Sequence, residues 1–130
     1  MRANTVVAAV LGLVALAITA ALIHSFNGFE AKRLAFVPEQ WNAQRHSIAG
    51  SGDPGCILGP MTSDLLQSGQ LRGLNKAQVL QLLGPPDSES STAVAYAIGQ
   101  CHGWGWHHSE LVLTLSAAEI VSGVDVRRMQ

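Results

Sequence analysis

Two cysteines and a cluster of three histidines are the side chains of this 130-residue protein best equipped for chemistry. Cys56 and Cys101 are its only thiols, lie far apart, and form no C-x-x-C pair. That pattern points to one structural disulfide made in an oxidising space. Such a bridge closes a loop of roughly 46 residues, for which chain entropy gives up to about 4 kcal/mol and practice about 2 to 4 kcal/mol. The alternative is metal. Cys101, His102, His107 and His108 place a thiol and three imidazoles within eight residues, donors suited to Zn²⁺ or Cu⁺ if Cys56 joins them. Adjacent residues on a strand point different ways, however, and neither C-x-x-C nor H-x3-H spacing occurs. The disulfide is therefore the expectation, with metal ligation by this loop as the competing function. Trp104 and Trp106 flank Gly105 in the same loop. They serve either as a cap over a sheet or as an anchor for a partner, tryptophan being over-represented at interface hot spots.

Catalysis has little to stand on. Asp53, Asp64, Asp87, Glu89, Glu110, Glu119 and Asp125 are dispersed along the sequence, and no serine lies in a G-x-S-x-G elbow. The run GSGDPG is a turn cluster, since no strand precedes it and no Lys-Ser/Thr opens a helix after it. No enzyme activity, cofactor or small-molecule substrate is expected. Nucleic acid is excluded on charge: eight Lys and Arg against nine Asp and Glu give a net charge of −1, with no basic stripe to track a phosphate backbone.

The elements that must position these residues begin with an apolar run. Val6 to Ile23 holds eighteen consecutive uncharged residues, all Ala, Val, Leu or Ile apart from Gly12 and Thr19. At about 1.5 Å per residue such a helix is roughly 27 Å long, close to a hydrocarbon core of roughly 30 Å and longer than a signal-peptide core needs. Residues 1–25 are expected to be a transmembrane anchor, though Thr19-Ala20-Ala21 leaves cleavage of a signal open. Lys32 and Arg33 after the run balance Arg2 before it, so charge does not fix orientation. The cysteines favour the remainder of the chain lying outside the cytosol: a single-pass inner-membrane protein with a periplasmic C-terminal domain.

Residues 26–58 read as an amphipathic connector and glycine-rich linker. Phe26, Phe29, Leu34, Phe36 and Trp41 suit the headgroup layer or the underside of a domain. Pro38 suits the first turn of a short helix, and Ala49 to Gly59 carries four glycines and a proline. Residues 59–130 form the compact domain. Met61 to Gln67 predicts one short helix. Asn75 to Leu83 predicts a second, N-capped by Asn75 with Gln78 completing a capping box and stopped by Gly84-Pro85-Pro86. The period then becomes two. Val94, Tyr96 and Ile98 predict a first strand, Leu111, Leu113 and Leu115 a second, and Ile120, Ser122, Val124 and Val126 a third. A long loop, Gly99 to Ser109, joins the first two, and a hairpin through Ala117-Ala118-Glu119 joins the others. The expected fold is α+β: a transmembrane helix, then two short helices packed on a three-stranded antiparallel meander.

The run MTSDLLQSGQLRGLNKAQVLQLLGPPD, followed by YAIG, a Gly/Trp loop, ELVLTL and EIVSGVDV, resembles the SmpA/OmlA (BamE-like) domain family over residues 61–126. The most specific part is the leucine–glycine turn ahead of an N-capped helix ending LLGPPD. The resemblance implies two helices on a three-stranded antiparallel sheet and a scaffold or docking role in the bacterial cell envelope, with an envelope protein as partner. The family's characterised lipoprotein carries a lipidated cysteine beside its signal sequence. Here an apolar anchor without such a cysteine stands in that place.

Overall fold

The computed structural model describes residues 2–29 and 31–130, and of residues 25–27 the backbone alone. Met1 and the side chain of Phe26 therefore lie outside the described residues. The chain runs through α1 (Arg2–Asn27), α2 (Pro38–Ala49), α3 (Gly59–Ser68), α4 (Lys76–Leu83), β1 (Ser88–Glu89), β2 (Ala93–His102), β3 (His107–Leu115) and β4 (Val121–Arg128).

Within α1, the most apolar 18-residue stretch of Arg2–His24 has a mean hydropathy of 2.8, and none of that stretch is buried against the rest of the protein. It is long and apolar enough to cross a membrane, at about 35 Å for those 23 residues. Thr19 fits this character because its hydroxyl donates to the Ala15 carbonyl at 2.8 Å, which satisfies it inside the helix.

Helix α2 starts where proline is tolerated, with Pro38 in the first turn. Its Trp41 is fully buried. The ring meets Phe36 edge-on at 5.7 Å and Tyr96 at 6.4 Å. The segment expected as a connector thus packs into the same core as the body from Gly59 onward. Helix α3 ends at Gly69 with φ +67°, a left-handed conformation in which glycine carries no Cβ penalty. Helix α4 carries the expected capping box: Asn75 Oδ1 accepts from Gln78 N, and Gln78 Oε1 accepts from Asn75 N, both at 2.9 Å. Its C-terminal end is closed by distant side chains. Trp41 Nε1 and Arg45 both donate to the Leu83 carbonyl, and the Tyr96 hydroxyl donates to that of Gly84 at 2.9 Å.

The sheet is antiparallel in the order β1-β2-β3-β4. It has four strands rather than the expected three. The added strand β1 is two exposed residues paired to Ala95 and Val94, too short and too wet to leave an alternation in the sequence. The expected eleven-residue loop is also shorter, since β2 runs on to His102 and β3 starts at His107, with register shifts at Ala97/Gly99 and Gly99/His102. A glycine-rich stretch broken by bulges hides its strand period. A third correction concerns β4. Val121 is buried while Ile120 and Ser122 are exposed, because a register shift between Thr114 and Leu115 switches the parity at the start of the strand.

The core lies between the sheet and α2, α3 and α4, with Leu58, Met61, Leu65, Leu71, Val79, Leu83, Val94, Tyr96, Ile98, Leu111 and Leu113 fully or almost fully buried. Two main-chain groups of the β4 edge are occupied by side chains. The Ser122 carbonyl accepts from Arg72 at 3.1 Å, and Val126 N donates to Asp125 Oδ1 at 2.9 Å. Those side chains occupy main-chain groups that a passing strand would need.

Candidate functional site

The cysteines, histidines and loop tryptophans gather at the end of the sheet where β2 turns into β3. The glycine-rich linker comes to them as an added edge. Gly55 donates to Gln100 Oε1 at 2.9 Å and its carbonyl accepts from Gln100 N at 2.8 Å, while Leu58 N donates to the Ile98 carbonyl at 3.1 Å. Gly99, with φ +99°, permits that approach. A Cβ there would run into the Gly55 carbonyl oxygen. Cys56 and Cys101 are joined as a disulfide with Cα atoms 4.7 Å apart. Gly59 is packed so closely behind them that a side chain at this position would meet both sulfurs.

His102 is buried, and Phe29 forms an isolated antiparallel bridge with it, the two rings lying 6.1 Å apart. Its Nδ1 shares a 2.6 Å hydrogen bond with Ser109 Oγ, which also accepts from Cys101 N at 3.1 Å. Burial pushes the His102 pKa below its usual value; the Arg128 charge adds to this and Asp125 opposes it. The Ser–His pair has the composition of a nucleophile and base. Ser109 is fully buried, however, and its oxygen is engaged from two sides, so the pair clasps the base of the turn.

The turn itself is a 3₁₀ turn, Gly103–Gly105, in which Trp104 adopts φ 58° and ψ 32°. The two tryptophans line different clefts. Trp104, 63% exposed, looks onto a cleft of about 300 Å³ lined by Gly28, Gly55, Cys56, Gln100, Cys101 and Gly105. Trp106, 77% exposed, looks onto another of about 410 Å³, whose walls include Ile48, Ala97, His107, His108 and Met129. The expected metal donors are separated by the same geometry. The Cys101 sulfur is bonded to Cys56, His102 turns inward to Ser109, and His108 is exposed. Among the described residues no three His, Cys, Asp or Glu side chains converge as a metal-holding group.

Sequence reasoning located the cysteines, histidines and tryptophans, but not Ile48 or Met129. One comes from the connector helix and the other from the chain end, and no local pattern brings either to the loop. Phe29 was legible only as an aromatic suited to an interface. No protein-family model, no curated protein and no solved structure matches this chain.

Proposed function

We propose that this chain is a single-pass inner-membrane protein of the bacterial envelope that presents a disulfide-stapled α+β domain on the periplasmic side. There it acts by docking onto another envelope protein. The observation that carries the reading is Trp106: a large ring held 77% exposed beside an apolar cleft with Ile48 and Met129. Exposed tryptophan backed by a partly apolar wall is the composition of an interface anchor. Three features support it. An apolar helix long enough to span opens the chain, the disulfide suits an oxidising compartment, and the resemblance to the SmpA/OmlA family implies an envelope scaffold.

The test is cross-linking in intact cell membranes, with a photoreactive residue replacing the exposed Met129 in the full chain. A discrete heavier adduct is expected, lost when Trp106→Ala is added while the disulfide still forms. An adduct unchanged by Trp106→Ala, or no adduct at all, would contradict docking at this cleft.

A further inference from the structure

We infer that Trp104 is a membrane-interface anchor: the turn between β2 and β3 sets its indole into the headgroup layer of the bilayer that α1 crosses, and so seats the domain on the membrane. This rests on the reading of α1 as a spanning helix. The placement follows from the chain. The apolar stretch ends at His24, and Gly28 lies four residues on, about 6 Å further along a helix axis. Gly28 and Trp104 line one cleft. The next residue, Phe29, is bridged to His102, and the end of α1 lies against the Gly103–Gly105 turn. The interfacial layer is roughly 5 to 8 Å deep on each side of the hydrocarbon core. A turn pinned that close to the helix exit stands within it.

The residue types agree with the position. Tryptophan is the side chain enriched at this depth, since its ring is apolar and its N–H seeks water or a headgroup. Trp104 keeps 63% of its surface exposed on a left-handed backbone of φ 58°. Cations stand nearby. Lys32 follows α1 within ten residues, and Arg128 pairs in register with Ser109 at the base of the turn. The disulfide gives the arrangement its stiffness, because it fixes the linker to the last turn of β2, one residue before the bridge to Phe29. The bilayer is a better occupant of this cleft than a second protein, because the cleft contains the anchor's own continuation and a partner would have to enter between domain and membrane.

The full chain reconstituted in phosphatidylcholine vesicles with acyl chains brominated near the headgroup provides the test, since bromine quenches tryptophan at contact range. Wild-type emission is expected to be quenched; Trp104→Phe should lose that quenching and Trp106→Phe should keep it. Trp41 is buried in the protein and supplies the unquenched background. Resistance to alkaline extraction is measured on the same vesicles. Quenching that survives Trp104→Phe, or is lost only with Trp106→Phe, in an extraction-resistant protein overturns this inference and leaves the spanning helix standing. Protein released by alkali overturns both.

Discussion

At the scale of single residues the site is a set of clasps. His102 joins β2 to β3 through Ser109 and joins both to the segment leaving α1 through Phe29. The neutral ring is favoured in the folded state, so the folded pKa lies below the unfolded value of 6.5. Above that value neither state holds the proton and stability is flat. As pH falls through and below it, the unfolded chain takes up the proton first and stability is lost. The urea midpoint of the micelle-held protein is therefore expected to fall between about pH 7 and pH 5, and His102→Gln should flatten that dependence. An equal slope in the variant would assign the loss to other groups. The identity of the disulfide was legible because two cysteines allow one intramolecular pairing. The role of His102 was not: in sequence it is one of three neighbouring histidines, and only the bulged register at Gly99 turns it inward.

Among the elements, α4 illustrates what local sequence can and cannot encode. Its start is written in four residues, Asn75 to Gln78, and the structure has both hydrogen bonds of the capping box. Asn75→Ala should cost about 1 kcal/mol, read as a lowered urea midpoint; an unchanged midpoint would mean that packing of Val79 and Leu83 alone sets the helix. Its end was legible as Gly84-Pro85-Pro86, but not the groups that satisfy it. Arg45 reaches the carbonyls of both Leu83 and Pro85, and its guanidinium lies 4.9 Å from the centre of the Tyr96 ring. Burial pushes the Tyr96 pKa up to about 12, with Arg45 opposing and Asp87 and Glu89 adding to the shift. Its hydroxyl thus stays a proton donor to Gly84 at all ordinary pH. Long-range partners of this kind leave no periodicity. Strand period fared in the same way: it was clear over Val94–Ile98 and Leu111–Leu115, where large apolar residues on one face alternate with alanine, valine or threonine on the other. It failed at β1 and at the start of β4, where two wet residues and a register shift break the alternation.

For the molecule as a whole, size explains why α2 belongs to the core. A domain of about 70 residues buries only about 60% of its unfolded surface. Trp41 and the flanking Phe36 enlarge that core from outside the span that the hydrophobic pattern marks. The linker is drawn in likewise, as an edge to β2 locked by Cys56. The end of α1, the linker and the loop tryptophans therefore converge at one end of the molecule, which no single stretch of sequence reveals. The proposed docking and membrane seating require that end to face an oxidising space outside the cytosol. It is tested most directly by tagging thiols in intact bacterial spheroplasts with a membrane-impermeant maleimide, before and after a membrane-impermeant reductant. The expected result is no tag at first and both Cys56 and Cys101 tagged once the reductant is added. Tagging that requires lysis, or tagging without reductant, would contradict it.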